Sequence, residues 1–269
     1  MKKSPQLRSL RSRWSRVNPV LGAWCMLPDR FAAEVVASQE FDFVCIDAQH
    51  GMIDYRDVAQ LIQVLELGEA APVVRVPWNE PGIIGKVLDA GAMSVIVPMV
   101  NSADDARALV AAARYAPHGS RSFGPVGIGL RDGADYLRRT DDEVAVIVMI
   151  ETAIALRDVD QIAAVPGIDA LFLGPFDLSL SLGLPPGDND GVSVFDDAIA
   201  SVLRSCRENN LKAGILSNHM DAPRRVAQGF DMISVTTDIQ ALSRSMADDL
   251  NSVKSRVGAA AASRDNHHA

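Results

Sequence analysis

The stretch "IETAIALRDVDQIAAVPGIDALFLGPFDL", residues 150–178, decides the fold. An apolar run ends at Glu151, a helix-like segment follows, and a second apolar run ends shortly before Asp177. Strand, helix and strand in succession form the unit from which parallel sheets are built. The stretch therefore predicts two neighbouring parallel strands, each followed by a carboxylate at its C-terminal end.

The same unit recurs along the whole chain, because apolar, β-branched runs alternate with helix-like segments. The runs are PVLGAWCML (19–27), FDFVCID (41–47), PVVRVP (72–77), MSVIVPM (93–99), VAVIVMIE (144–151), IDALFLG (168–174), KAGIL (212–216) and FDMISV (230–235). Eight such units in 269 residues predict an α/β protein with a single-domain (β/α)8 TIM barrel. The alternative is an open doubly wound sheet, but no Gly-x-Gly-x-x-Gly turn follows the first run.

The predicted domain boundaries follow from these runs. We expect an N-terminal basic arm or helix over residues 1–18, the barrel over 19–256 and a disordered tail over 257–269. Residues 115–143 are too long for a plain connection. Their Gly and Pro content predicts an ordered loop over the barrel mouth, followed by a helix.

Composition narrows the possible partners and location. A net charge of −8 and a pI near 5.1 argue against nucleic acid. The basic start of the chain is interpreted as a solvated arm or covering helix, and no apolar run is long enough to span a bilayer. Cys25, Cys45 and Cys206 lack a CxxC spacing, which predicts reduced thiols in a cytoplasmic protein.

Side chains that follow strands at their C-terminal ends are the candidates for chemistry in such a barrel. These candidates are Asp47, Gln49, His50, Arg75, Glu151 and Asp177. Two carboxylates without a nearby His or Cys suit a hard divalent ion such as Mg²⁺ or Mn²⁺. The alternative is that Glu151 and Asp177 each cap the helix that follows.

Arg75 and His50 are the other chemically suggestive residues. Arg75 stands in the apolar run VVRVP, where its fork suits a carboxylate or an oxyanion. The alternative role is a salt bridge to Asp47. An imidazole such as that of His50 can exchange protons near neutral pH.

Other polar residues carry weaker signals. His219 is a candidate substrate contact at the same rim, and His118 and Ser122 in the long loop are candidate contacts of a second substrate. No lysine is placed to form a Schiff base at the barrel mouth, since Lys212 begins a strand and Lys86 lies in a helix. Carbonyl activation would then fall to a metal ion.

These motifs together resemble the HpcH/HpaI family of metal-dependent (class II) pyruvate aldolases. The matching stretches are FDFVCIDAQHG (41–51), VVRVPWNEPGIIGKVLDAGAMSVIVPMVNSADDARALVAAARYAPHGSRSFGP (73–125), VMIETAIALRDVDQIAAVPGIDALFLGPFDLSLSLG (148–183) and, more loosely, KAGIL (212–216). The resemblance implies a carbon–carbon lyase that reversibly cleaves 4-hydroxy-2-oxo acids into pyruvate or hydroxypyruvate and an aldehyde, through a metal-stabilised enolate.

The resemblance also implies roles for individual residues. Glu151 and Asp177 would hold a divalent Mg, Mn or Co ion, and the N–H groups of Phe176 and Asp177 would receive the substrate carboxylate. Arg75 would stabilise the enolate, and His50 would act on the aldol hydroxyl.

A further residue implied by the resemblance is Asp89, which would support His50. Asp89 is predicted near the end of a helix, at the far face of the barrel, and could reach His50 most easily from a neighbouring subunit. The family typically forms homo-oligomers, so a trimer or hexamer is expected.

Two departures from the family pattern concern substrate preference. Gln49 stands where many relatives have Glu, and Met149 stands where many have Gln, which removes a possible polar contact to the substrate. Two other functions remain open. One is an oxaloacetate or other 2-oxo acid decarboxylase, and the other is a ligand-binding pseudoenzyme.

Overall fold

The protein forms a closed barrel of eight parallel strands that follow one another in chain order. This is seen in a computed structural model that describes residues 9–133 and 135–265, with side chains described through Val257. The strands are β1 Val20–Cys25, β2 Phe43–Asp47, β3 Ala71–Arg75, β4 Ser94–Val97, β5 Ala145–Ile150, β6 Ala170–Leu173, β7 Lys212–Leu216 and β8 Met232–Thr237. The predicted (β/α)8 barrel is confirmed.

Helices surround the barrel and connect its strands. They are α1 Leu10–Trp14, α2 Arg30–Ala37, α3 Tyr55–Leu65, α4 Pro81–Ala90, α5 Ala103–Ala113, α6 Val126–Asp132, α7 Asp135–Glu143, α8 Ala153–Arg157, α9 Val159–Ala163, α10 Pro175–Ser181, α11 Ser193–Glu208, α12 Ala222–Gln228 and α13 Asp238–Asp265. Ser102 caps α5, since its side chain accepts a hydrogen bond from the N–H of Asp105. None of the described helices has the length and apolar character needed to cross a membrane.

The period of two along each strand decides which side chains fill the barrel. On β2, Phe43 and Cys45 belong to the interior cluster, and Ala71 and Val73 do so on β3. The next inward positions are Asp47 and Arg75, at the C-terminal ends of these strands. The alternation therefore delivers two charged side chains to the top layer of an otherwise apolar interior.

Aromatic rings fill much of this interior because glycines on neighbouring strands leave room. A Cβ on Gly214 of β7 would lie 2.4 Å from the ring of Phe172 on β6. That ring also contacts Trp24 of β1, with centroids 5.6 Å apart. The barrel is thus a packed core below its mouth.

The two ends of the chain differ in how they match the predictions. The predicted N-terminal helix is present as α1, which packs Leu10 and Trp14 against the barrel interior cluster. Lys2, Lys3 and Arg8 lie outside the described residues. The predicted disordered tail from 257 is wrong over 257–265, because α13 continues to Asp265. Its Ala-rich end has a high helix propensity.

The predicted position of residues 115–143 over the barrel mouth is wrong. Arg121 pairs with Asp89 at the end of α4, and Arg131 donates to the carbonyl of Ala90. Helices that follow strands in a barrel end at the face where strands begin. The segment therefore packs on the face opposite the mouth, where these arginines satisfy helix-terminal groups.

Candidate active site

Asp47 and Arg75 are paired at the mouth of the barrel. They are register partners on β2 and β3, and the Nε and Nη2 of Arg75 donate to Oδ1 and Oδ2 of Asp47 at 2.9 and 2.5 Å. Asp47 is 0% and Arg75 6% exposed. Burial raises the pKa of Asp47, but hydrogen bonds from Arg75 and its charge outweigh this, so the pKa is lowered.

This pair is the salt bridge that the sequence left as an alternative, but it does not occupy the whole guanidinium. Among the described residues, no hydrogen bond is made by Nη1 of Arg75. A buried, fixed arginine with a free donor at the mouth can still bind an anionic ligand atom. The structural and functional interpretations of Arg75 are therefore compatible.

Trp24 is a third member of this group that the sequence analysis missed. Its Nε1 donates to Oδ2 of Asp47 at 3.1 Å, and the guanidinium of Arg75 lies 5.3 Å from the centre of its ring. The signal was present in the period of two, which places Val20, Gly22 and Trp24 on one side of β1. An indole at the last inward position needs a partner for its N–H.

His50 stands in the turn that follows β2 and is exposed. Oδ1 of Asp47 accepts the backbone N–H groups of Gln49 at 3.0 Å and His50 at 3.2 Å. The same carboxylate thus fixes both Arg75 and the turn that carries His50. Oε1 of Gln49 is buried without a hydrogen-bond partner in the described chain, which leaves an acceptor beside this turn.

Glu151 follows β5 directly and is 1% exposed. Its Oε1 accepts the backbone N–H of Met99 at 2.7 Å. Burial raises the pKa of Glu151; the bond from Met99 and the charge of Arg75 oppose the rise, and the charge of Asp177 adds to it. The charges of Asp177 and Arg75 therefore both act on Glu151 at the mouth.

Asp177 is exposed in the first turn of the short helix α10, which begins directly after Gly174. A Cβ on Gly174 would lie 2.9 Å from Oε2 of Glu151 and 3.0 Å from the methyl group of Met149. Gly174 therefore leaves room for the second carboxylate oxygen of Glu151. Met149, an inward residue of β5, lies at the floor of the same site.

Neither acid acts as a helix N-cap, which was the alternative to a metal site. Thr152, not Glu151, caps α8, by accepting the N–H of Ala155. The N-cap of α10 is Gly174, and this cap makes no side-chain hydrogen bond. Both carboxylates thus remain available for another partner.

The donor set fits a hard divalent ion. Glu151 presents Oε2 into a site shared with exposed Asp177, and two carboxylates completed by water and substrate suit Mg²⁺ or Mn²⁺. The described residues contain no cluster of three or more His, Cys, Asp or Glu side chains that could hold a metal ion. With two carboxylates as ligands, an ion of this kind would have coordination positions open to water and a substrate.

Among the remaining candidates, His219 lies in the loop that follows β7, and the others lie at the end of α4 or in the segment after α5. Asp89 and Ser122 line a hollow on the opposite face of the same chain, where Asp89 pairs with Arg121. His118 contacts Asp141, and His219 contacts Arg244. Burial raises the pKa of Cys25 and Cys206 to about 12, which argues against thiolate chemistry.

Comparison with known proteins shows the family of the chain. A model of the HpcH/HpaI aldolase/citrate lyase family matches residues 21–245, so the chain belongs to this family. It is 39% identical to a hydroxypyruvate/pyruvate aldolase of Rhizorhabdus wittichii, over 88% of this chain and 95% of the relative. It is 38% identical to a 4-hydroxy-2-oxovalerate aldolase of Rhodococcus jostii, over 83% and 87%.

A solved structure supports the same assignment. A crystal structure of an HpcH/HpaI aldolase/citrate lyase family protein from Burkholderia cenocepacia superposes with a TM-score of 0.84 at 35% identity. The match covers 92% of this chain and 99% of that one. The relatives from Rhizorhabdus wittichii and Rhodococcus jostii are both named aldolases, and their names give different substrates.

Proposed function

We propose that this protein is a carbon–carbon lyase that reversibly cleaves 4-hydroxy-2-oxo acids into pyruvate or hydroxypyruvate and an aldehyde. The observation that carries the proposal is the placement of Arg75, Glu151 and Asp177 at the C-terminal ends of β3, β5 and β6, with Oε2 of Glu151 facing Gly174 at the start of α10. An arginine with a free donor, beside Oε2 of Glu151 and the carboxylate of Asp177, can bind a 2-oxo acid together with a divalent ion. The family membership supports the same reaction.

Glu151 and Asp177 would hold the ion, which is Mg²⁺, Mn²⁺ or Co²⁺. When bound, it would polarise the keto group of the substrate as a Lewis acid. The first N–H groups of a helix lack intrahelical acceptors, so those of Phe176 and Asp177 in α10 are free to receive the substrate carboxylate.

The other residues would handle charge and protons. Nη1 of Arg75 would face the oxygen on which negative charge develops, held there by Asp47 and Trp24. His50 would take the proton of the aldol hydroxyl during cleavage and return it during synthesis. Met149 would supply an apolar wall of the site, which fits a 2-oxo acid substrate that has no polar group next to this side chain.

Asp89 and Ser122 can contribute to this mouth only from a second copy of the chain. A homo-oligomer, trimeric or hexameric, is supported by apolar surface that the chain leaves uncovered. Leu242, Met246 and Leu250 on α13 are 50–63% exposed at helical spacing. Light scattering should give three or six times the mass of one chain.

Subunit complementation would test the role of Asp89 directly. His50→Ala and Asp89→Ala should each be impaired alone, and mixed oligomers should regain activity because some sites contain both native residues. Activity that does not rise on mixing would place Asp89 outside the site.

A cytoplasmic location, without nucleic-acid or membrane partners, belongs to the proposal. The three free, buried cysteines support it.

The reaction is tested with purified protein, a panel of aldehydes and either pyruvate or hydroxypyruvate as donor. We expect carbon–carbon bond formation that a chelator abolishes and Mg²⁺, Mn²⁺ or Co²⁺ restores. Glu151→Ala and Asp177→Ala should each lose activity while they keep the fold. Oxaloacetate decarboxylation without any aldol product would favour the decarboxylase, and no turnover with any donor would favour the pseudoenzyme.

A further inference from the structure

Met99 adopts a backbone conformation that methionine rarely takes. Its φ is 56°, and in the described chain only Asn210 shares a positive φ among residues other than glycine. In the left-handed region the Cβ lies close to the following carbonyl oxygen, which strains any residue other than glycine. Such a residue keeps this conformation when surrounding contacts hold it.

Met99 is held by a series of three hydrogen bonds at the ends of β4 and β5. The N–H of Met99 donates to Oε1 of Glu151 at 2.7 Å, and its carbonyl accepts Nδ2 of Asn101 at 3.0 Å. Oδ1 of Asn101 in turn accepts the hydroxyl of Thr152, the residue after Glu151. This series of hydrogen bonds therefore begins at Glu151 and ends at the next residue, Thr152.

Asn101 is itself fixed from the other side. Its backbone N–H donates to a carboxylate oxygen of Asp105 at 3.0 Å, at the start of α5. Both ends of its side-chain amide are used, one as a donor and the other as an acceptor. Asn101 thus ties the strained peptide of Met99 to two helix starts.

The consequence lies at Glu151. With Oε1 held by Met99, the carboxylate cannot rotate freely, and Oε2 is the oxygen left facing Gly174 and the metal site. We infer that Asn101 is a positioning residue, which fixes the orientation of the Glu151 carboxylate through the strained peptide of Met99. This inference rests on the proposed role of Glu151 as a metal ligand.

The test measures Mn²⁺ affinity directly, from the electron paramagnetic resonance signal of free Mn²⁺ added to metal-free full-length protein. Residues that orient metal ligands typically contribute about 10- to 100-fold in affinity. Asn101→Ala should therefore weaken Mn²⁺ binding by at least about tenfold. Asn101→Leu, which is closer in size, should show the same loss if the alanine variant folds poorly.

A matched control is available at Asn79. Its side-chain amide also donates to a backbone carbonyl near α5, that of Asp105, and it makes no described contact with Met99. Asn79→Ala should bind Mn²⁺ as the native protein does. An Asn101 variant that folds and binds Mn²⁺ within about twofold of native protein, well below the expected loss, would overturn the inference.

A second experiment asks whether Asn101 acts through the conformation of Met99. Glycine takes positive φ about as readily as negative φ, so Met99→Gly keeps the N–H donor without the strain. Asn101→Ala should then cost much less in the Met99→Gly background than in native protein. An equal loss in both backgrounds would contradict the inference. If Glu151→Ala leaves Mn²⁺ binding unchanged, the proposed metal site fails instead.

Discussion

Nε1 of Trp24 donates a hydrogen bond to Oδ2 of Asp47 over 3.1 Å, so the carboxylate that holds Arg75 is itself held from β1. Three adjacent strands thus share one buried polar group below the mouth. In a low-dielectric interior such a group is stable only when its members are satisfied. The orientation of Arg75 toward a substrate depends on this group.

Trp24→Phe should show the contribution of that hydrogen bond. Compared with the control below, we expect Trp24→Phe to lose about 1 kcal/mol more in the free energy of unfolding, which is the usual net contribution of one hydrogen bond. We also expect a lower kcat/KM. Trp14→Phe is the matched control, because Nε1 of Trp14 is buried without a partner in the described chain. Urea unfolding of both variants measures the difference, and equal losses would show that the bond contributes nothing.

Asp47→Asn should weaken the fold in a pH-dependent way. The pKa of Asp47 is lowered in the folded protein, so its charge stabilises the fold above the unfolded value of about 3.9. This stabilisation is lost as the pH falls through the lowered folded pKa. At pH 7 the substitution leaves Arg75 buried without a counter-charge, at a cost on the order of 3 kcal/mol.

Unfolding free energies at pH 7 and at pH 3.5 check this prediction. The difference between native protein and Asp47→Asn should be larger at the higher pH. Asp158→Asn is the control, since Asp158 pairs with Arg157 at the surface and should change stability little. A difference that is unchanged or larger at the lower pH would contradict the assigned pairing.

Gly174→Ala should disturb the metal site from below. The added Cβ would lie 2.9 Å from Oε2 of Glu151 and so push that oxygen from its place. We expect a loss of Mn²⁺ affinity of about tenfold or more, as for other changes that reorient a ligand. Gly129→Ala on α6, with its nearest neighbour 3.9 Å away, should leave affinity unchanged. Normal affinity of Gly174→Ala would place the ion elsewhere.

His50→Ala should separate two reactions. The aldol hydroxyl must lose a proton during cleavage, and loss of a positioned base typically slows such a step by about 10²- to 10⁴-fold. Decarboxylation of oxaloacetate requires no proton from a hydroxyl and should be less affected. Both rates are measured on the same Mn²⁺-loaded variant. Equal losses would assign His50 to another step.

The barrel and most of its polar mouth could be predicted from the sequence. The period of two and the meeting of parallel strand ends place Asp47, Arg75 and Glu151 on one face without knowledge of any distance. From the sequence, the salt bridge between Arg75 and Asp47 could only be one of two alternatives. The register that places these residues side by side depends on how β2 and β3 pair, and the sequence of neither strand determines it.

Other features depend on contacts between distant segments. The Gly and Pro residues of segment 115–143 indicate an ordered loop. Which face of the barrel this loop covers is decided by the pairing of Arg121 with Asp89. In the sequence, Trp24 is indistinguishable from the other apolar residues of its strand. Its role depends on a hydrogen bond to Asp47 on a different strand, which the sequence does not show. The positive φ of Met99 also had no sequence signal, since neither glycine nor asparagine marks the position.

The central claim is that Glu151, Asp177 and Arg75 together activate a 2-oxo acid, and exchange of the pyruvate methyl protons tests it without knowledge of the aldehyde. In D₂O, the methyl signal in the proton NMR spectrum should fade with native protein and Mg²⁺. It should persist after chelation, and with Glu151→Ala or Asp177→Ala. Exchange that continues at the native rate in these variants, or in metal-free protein, would contradict the account.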